Sequence, residues 1–116
     1  MITIIRDVTT RARLAELAEA TFGDFVKGVV DVRRRVLALG GDLHSDEEAA
    51  LLEDGSQQAD LWGINLYPGE TGEDWIEFDS MINVRPSQGN RSRDVEDEGL
   101  RASIREVVAG LVEDAG

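Results

Sequence analysis

The sequence predicts an α+β domain, a two-layer sandwich of helices on a largely antiparallel five-stranded sheet. Short runs of alternating or β-branched apolar residues are separated by glycine-containing turns, a pattern typical of hairpins. Amphipathic helical patterns stand between and after these runs. Because hairpins dominate, we expect the order β-α-β-β-α-β-β-α within a single domain covering residues 1–116.

The first half of the chain contains a strand, a helix and a hairpin. Residues 2–5 form a short β-branched strand, and Thr9 or Thr10 is expected to cap the helix that follows. Residues 26–32 alternate, whereas the wholly apolar residues 36–39 are typical of a buried central strand. The three consecutive arginines between these strands are predicted to form the hairpin tip.

The second half begins with a predicted capping box, in which Ser45 and Glu48 start a short helix. Residues 61–67 and 75–84 are predicted to be two strands joined by a long loop. Residues 100–112 carry an apolar stripe at helical spacing, and we expect this last helix to pack on the sheet.

Alternation within the two later strands assigns one face of the sheet to the helices. The helix-facing positions are Trp62, Ile64, Leu66, Ile76, Phe78, Ile82 and Val84. The opposite face carries Leu61, Gly63, Asn65, Tyr67, Trp75, Glu77, Asp79, Met81, Asn83 and Arg85. Because this face mixes aromatic residues with carboxylates and amides, three interpretations stay open: a solvated face, a homodimer interface and a ligand-binding groove.

The net charge of −12 is unevenly distributed along the chain. Residues 36–84 contain twelve carboxylates and no Lys or Arg, whereas the rest of the chain is balanced. Such a field repels nucleic acid, so nucleic-acid binding is not expected; the alternative to simple solubility is a metal or a basic partner. Cysteine is absent, which excludes disulfides and thiol catalysis. The sequence shows neither a signal peptide nor a membrane span, and we expect a cytoplasmic protein.

The loop from Arg85 to Ser92 is rich in side-chain donors, which are the groups that bind anions. The candidate ligand-binding residues are Arg85, Gln88, Asn90 and Arg91, together with Asn65 and Asn83 on the strands that lead to the loop. The alternative is that these donors satisfy carbonyl oxygens of the chain itself, which would make the loop structural.

His44 is the only histidine and the candidate catalytic acid or base, since imidazole titrates near neutral pH. Its alternative roles are those of an ordinary turn residue and of a metal ligand together with Asp42 and Asp46. Glu77 and Asp79 project from one face of the predicted strand and are weak candidates for a metal site. The sequence contains no established catalytic motif, so the cofactor and the existence of an enzymatic activity stay open.

Several segments together resemble a small family of short prokaryotic proteins of unknown function. They are residues 40–44, 51–56, 60–65, 76–80 and 82–92, and the similarity extends over nearly the whole chain. The resemblance implies no activity. It implies that the family's characteristic polar pattern includes His44, Asp60, Asn65, Glu77, Asp79, Asn83, Arg85, Gln88, Asn90 and Arg91.

Three functional hypotheses follow from the sequence. The first is a domain that binds a small molecule or anion through the loop of residues 85–92. The second is a protein-interaction module, most simply a homodimer, that uses the apolar part of the free sheet face. The third is a metal-dependent phosphoesterase or nuclease that uses His44.

Overall fold

The computed structural model describes residues 1–114 and confirms an α+β fold with a five-stranded antiparallel sheet. The elements are β1 (Thr3–Ile5), β2 (Thr9–Thr10), α1 (Arg11–Ala20), β3 (Val26–Asp31), β4 (Val36–Leu39), α2 (His44–Glu53), β5 (Leu61–Leu66), β6 (Ile76–Glu77), α3 (Glu98–Leu111) and β7 (Val112–Glu113). The strand order in the sheet is β1-β4-β3-β5-β6. The predicted order of elements is observed with one addition, because β2 and β7 pair in parallel as a separate two-stranded sheet.

The predicted hairpin with an arginine tip is confirmed. Strands β3 and β4 pair in antiparallel register with Val30 opposite Leu37. The Asp31 carboxylate accepts hydrogen bonds from the backbone N–H groups of Arg33 and Arg34, at 2.9 and 2.8 Å, and so fixes the turn.

One face of the sheet is covered by α1 and α3, as the apolar stripe of residues 100–112 predicts. Ile104 is fully buried and belongs to a core cluster with Trp62 and Ile64 from β5. The same cluster includes Leu14 of α1 and Leu37 of β4. The first and last helices, α1 and α3, therefore pack together on the central strands of the sheet.

The opposite face is also covered, which a two-layer sandwich does not provide. Leu51 of α2 packs there with Val29, Ala38 and Leu61, and Ile82 lies against this second cluster. Every residue of β4 and β5 is buried. Strands of this kind need cover on both faces, and α2 supplies it.

The prediction of a strand over residues 75–84 is wrong beyond its beginning. Strand β6 contains two residues, and Met81–Asn83 forms a 3-10 turn capped by the Ser80 hydroxyl, which accepts from Ile82 N. Ile82 therefore packs on the α2 side, and Val84 is exposed rather than facing α1 and α3. Trp75 also lies on the other side from its predicted face, packed against the first core.

The two predicted helix starts have different outcomes. Thr10 caps α1 as predicted, since its side chain accepts from Arg13 N at 3.1 Å. The capping box at Ser45 is wrong: α2 begins at His44, and Leu43 occupies the cap position without any side-chain hydrogen bond. Among residues 1–114, the first N–H groups of α2 therefore have no side-chain acceptor.

Glu47 is a fully buried carboxyl group in α2. Its Oε2 accepts a hydrogen bond from Gly41 N at 2.9 Å, and its Oε1 has no partner within residues 1–114. Burial raises the pKa of Glu47 to about 9. The group is therefore a neutral carboxylic acid at neutral pH.

We predict that Ile104→Ala lowers the free energy of unfolding by about 2–5 kcal/mol, because it leaves a cavity in the first core. Chemical denaturation followed by far-UV circular dichroism measures the change. The control is Glu106→Ala, an exposed position on the same helix, which should change stability little. An Ile104→Ala protein as stable as this control would contradict the packing of α3.

We predict that Glu47→Gln removes part of the pH dependence of stability. The pKa of Glu47 is near 4.5 in the unfolded chain and about 9 in the fold, so the folded state holds the extra proton between these values. The unfolding free energy of the wild type should therefore fall, relative to the variant, as pH rises from about 4.5 to 9.

Denaturation midpoints measured across this pH window for both proteins provide the test. Exposed Glu53→Gln is the control and should follow the wild type. A constant difference between wild type and Glu47→Gln at every pH would show that Glu47 has an ordinary pKa.

Candidate functional site

Arg85 directs its guanidinium donors at the chain's own carbonyl oxygens. Nε donates to the carbonyl of Ile82 at 2.9 Å, Nη1 donates to that of Gln58 at 2.8 Å, and Nη2 donates to that of Leu61. The side chain is only 8% exposed, and the Glu48 carboxylate lies 3.6 Å from Nη2. Arg85 thus joins the turn after α2, the start of β5 and the segment after β6.

Asn83 takes the place of a strand beside β5. Strand β6 pairs only with Asn65 and Leu66, which leaves the edge at Gly63 without a ladder partner. The Asn83 amide supplies one, since Oδ1 accepts from Gly63 N at 2.8 Å and Nδ2 donates to Gly63 O at 2.9 Å. Nδ2 also donates to the Arg93 carbonyl at 3.0 Å. Both backbone groups of a buried glycine are thereby satisfied.

Asn90 also uses its side-chain amide to bond backbone groups, here within the segment from Asn83 to Glu96. Its Nδ2 donates to the carbonyls of Asn83 at 2.6 Å and Asp94 at 2.7 Å, with Ser92 O also within reach. Its Oδ1 accepts from Glu96 N at 2.9 Å. The residue is 5% exposed, so its amide forms buried hydrogen bonds that connect Asn83 with Glu96.

The remaining two loop candidates lie on the surface. Gln88 donates to Ala59 O at 3.2 Å, and its Oε1 lies 3.4 Å from Arg85 Nη1. The Arg91 side chain is exposed and forms no hydrogen bond or ion pair within residues 1–114, although its backbone N–H donates to Glu96. Arg91 is therefore the one candidate of this loop whose donors stay free in the described part of the chain.

A cavity of about 150 Å³ lies on the α2 side of the sheet. It separates the start of α2 from the segment that follows β6. Its lining residues are Lys27, Leu43, His44, Ser45, Ser80, Met81, Ile82 and Arg93. Lys27 and His44 are the only lysine and the only histidine of the chain.

His44 is a buried ring that donates to the sheet. Its Nε2 lies 2.8 Å from the carbonyl oxygen of Ile64, and the residue is 9% exposed. Burial is the main cause that lowers the pKa of His44, and the Lys27 ammonium lowers it further, while the Ile64 carbonyl and the Asn65 amide oppose this. The ring is therefore neutral at neutral pH. Its Nδ1 forms no hydrogen bond within residues 1–114.

The charged groups of the cavity wall are cationic. The Lys27 ammonium lies 4.9 Å from the centroid of the Phe22 ring and forms no ion pair with the described residues. Arg93 donates from Nε to the Asp79 carboxylate at 2.6 Å, and both side chains are about half exposed. The uncapped start of α2 adds the positive end of a helix dipole.

Asn65, Glu77 and Asp79 lie beside this cavity rather than in its wall. Lys27, Asn65 and Glu77 are successive neighbours across β3, β5 and β6. Asn65 Nδ2 donates to Glu77 at 2.8 Å and to the Asp79 carbonyl at 3.1 Å, while its Oδ1 is buried without a partner in the described chain. No group of three or more His, Asp or Glu side chains among residues 1–114 could hold a metal ion.

A second, larger cavity of about 400 Å³ is acidic. It lies at the loop between β5 and β6, and its lining residues are Tyr67, Glu70, Glu73, Asp74, Ile76 and Glu77. Burial and the Glu77 carboxylate raise the pKa of Tyr67. An anion is repelled here, so the two cavities differ in the charge that they favour.

The structure brings together only part of the predicted site. His44 and Asn65 lie at or beside the 150 Å³ cavity, whereas Arg85 and Asn90 are buried in the loop framework. Neither Lys27 nor Ser80 was among the candidate residues predicted from the sequence. The only lysine of the chain, standing between Val26 and the apolar residues 28–30 of β3, was the signal that could have identified the site.

The apolar surface predicted from Trp75, Tyr67 and Met81 is divided. Trp75 lies on the α1 side of the sheet, where the Arg11 guanidinium stacks over it. The Arg11 Cζ atom is 3.7 Å from the centroid of the Trp75 ring. Tyr67 stacks on Phe25 with ring centroids 5.3 Å apart, and only Met81 is strongly exposed, at 65%. A homodimer stays a prediction, and of the three residues only Met81 has a strongly exposed side chain to contribute to an interface.

Residues 3–111 match the model of the family described as Protein of unknown function (DUF5674). The chain belongs to this family. The match confirms the resemblance predicted from the motifs and extends over nearly the full length. Comparison with curated proteins and with solved structures finds no match. Within residues 1–114 no helix has the length and apolarity that crossing a bilayer requires.

We predict that Asn83→Ala lowers the free energy of unfolding by about 1–3 kcal/mol. The substitution leaves the buried N–H and C=O groups of Gly63 without hydrogen-bond partners. Thermal and urea denaturation measure the loss. Arg91→Ala in the same segment is the control and should be nearly neutral, since its side chain is exposed. Equal stability of the two variants would contradict the structural role of Asn83.

Proposed function

We propose that this protein binds a small anion, a phosphate or carboxylate group, in the cavity between the start of α2 and the segment that follows β6. The observation that carries the proposal is Lys27. It is the chain's only lysine, it lines the cavity, and it has no counterion within residues 1–114 although the net charge is −12. An anion beside Lys27 would supply the missing counterion.

The acidic groups near the cavity are already neutralised or lie outside it. Asp79 is paired with Arg93, and Glu47 is held neutral by burial. Asp42 and Asp46 flank His44 in sequence, but their side chains are exposed. An anion in the cavity would therefore meet Lys27 and the helix dipole before any free carboxylate.

The size of the cavity limits what it could hold. Pockets for complete small molecules usually measure about 300–1,000 Å³, and this cavity has about 150 Å³. It suits one anionic group, with any larger body outside. Leu43 and Met81 line the cavity and are 54% and 65% exposed, so an apolar body could rest between them.

The residues on either side of the loop of residues 85–92 form a framework for the cavity. Asn83 donates to the Arg93 carbonyl, and Ser80 N donates to the same carbonyl at 3.0 Å. These bonds position two residues of the cavity wall. We therefore propose that the anion binds at Lys27 rather than at Arg85, whose donors are occupied by carbonyl oxygens.

A second candidate function is a homodimer through the rim of the same cavity. The exposure of Leu43 and Met81 favours it, since exposed apolar side chains around a polar pocket are common at interfaces. A metal-dependent phosphoesterase has no such support, because Glu77 and Asp79 are engaged by Asn65 and Arg93.

We predict that inorganic phosphate raises the melting temperature of the wild-type protein and that Lys27→Gln abolishes this shift. Saturation at about a hundred times the dissociation constant adds about 2.7 kcal/mol of stability. Differential scanning fluorimetry against sodium chloride of equal ionic strength measures the specific part.

Arg91→Gln is the matched control, because it removes the same charge from a free side chain outside the cavity. It should keep the phosphate shift. If Arg91→Gln loses the shift and Lys27→Gln keeps it, the anion binds at the loop instead. If phosphate does not stabilise the wild type at all, the proposed function is wrong.

A further inference from the structure

The backbone fixes His44 in one tautomer. Nε2 lies 2.8 Å from the Ile64 carbonyl oxygen, which only accepts hydrogen bonds, so Nε2 carries the hydrogen. The buried ring is neutral at neutral pH. The ring's remaining polar atom is therefore Nδ1, which bears a lone pair and forms no hydrogen bond within residues 1–114.

This lone pair is an acceptor in a cavity whose own polar side chains are mainly donors, and the Asn65 amide, which also acts on the ring, lies beside the cavity. The other polar groups that line the cavity include the Lys27 ammonium, the Ser45 hydroxyl and the Arg93 guanidinium. A bound oxyanion would satisfy these donors with its charged oxygens. An acceptor repels a charged oxygen but attracts a hydroxyl group on the same anion.

We propose that His44 makes this cavity selective for oxyanions that carry a hydroxyl group, hydrogen phosphate in particular, by accepting a hydrogen bond at Nδ1. The inference rests on the proposed function, since it requires that an anion binds in this cavity. It assigns to His44 the role of a specificity-determining residue rather than that of an acid or base.

Phosphate and sulfate form the matched ligand pair that tests this selectivity. Near pH 7.5 hydrogen phosphate and sulfate are both tetrahedral dianions, but only hydrogen phosphate carries a proton. We expect phosphate to bind at least about tenfold more tightly than sulfate, which is the difference that one hydrogen bond makes. Isothermal titration calorimetry at constant ionic strength measures both constants.

Two variants separate the contribution of His44 from that of the other donors. His44→Leu removes the acceptor and should bind phosphate and sulfate with equal strength. Ser45→Ala removes a donor and should weaken both anions while it keeps their ratio. Because His44→Leu also loses the bond to Ile64, its fold is checked first by circular dichroism.

A second measurement uses the wild type alone. The chain has one histidine, so the ¹⁵N signal of Nδ1 is unambiguous. Phosphate should shift it upfield, as expected when an unprotonated nitrogen accepts a hydrogen bond, and sulfate should leave it in place. This readout does not depend on whether His44→Leu folds.

Methyl phosphate distinguishes free phosphate from a phosphate ester. Its second pKa is about 6, so near pH 7.5 it has lost its proton and should bind as weakly as sulfate. Methyl phosphate or sulfate binding as tightly as phosphate would overturn the inference and leave anion binding intact. Failure of all three anions to bind would overturn the proposed function together with the inference.

Discussion

The side-chain amide of Asn83 is the contact on which the α2 side of the molecule depends. Strand β5 needs a partner at Gly63, and Asn83 supplies both the acceptor and the donor. Gly63 is required here, because a β-carbon would lie 2.5 Å from the Ser80 side chain. This close approach brings the turn after β6 onto the sheet, and the cavity wall beneath α2 follows from it.

Arginine and lysine have different roles in this acidic chain. Arg6 and Arg34 both donate to Asp54, at 2.5–2.8 Å, and hold the pKa of that carboxyl well below its usual range. Further arginines pair with carboxylates in the same way, since the planar guanidinium offers several donors at once; they include Arg11, Arg33, Arg93 and Arg101. Lys27 has no such partner in the described chain and, unlike the equally unpaired Arg91, it lines the small cavity.

Elements with a sustained period could be predicted from the sequence. The apolar residues around Ile104 repeat at helical spacing over more than three turns, and this pattern predicted the position of α3. The alternation of residues 75–84 was misleading, because Ser80 and Asn83 satisfy the backbone with their side chains and so release it from the ladder. The position of the cavity could not be predicted, because it depends on how β3 and α2 pack against each other. No sequence pattern indicates that Lys27 and His44 line the same cavity.

The parallel pairing of β2 with β7 joins residues that are about a hundred positions apart in sequence. Thr9 lies opposite Val112, immediately before α1 and immediately after α3. The helical layer therefore closes only when the last strand has left the ribosome. During synthesis the five-stranded sheet, which ends in sequence at Glu77, is made before α3, so α1 would lie on a sheet face that α3 does not yet cover. The part of the first core that packs against Ile104 would therefore stay open to water until α3 and β7 follow.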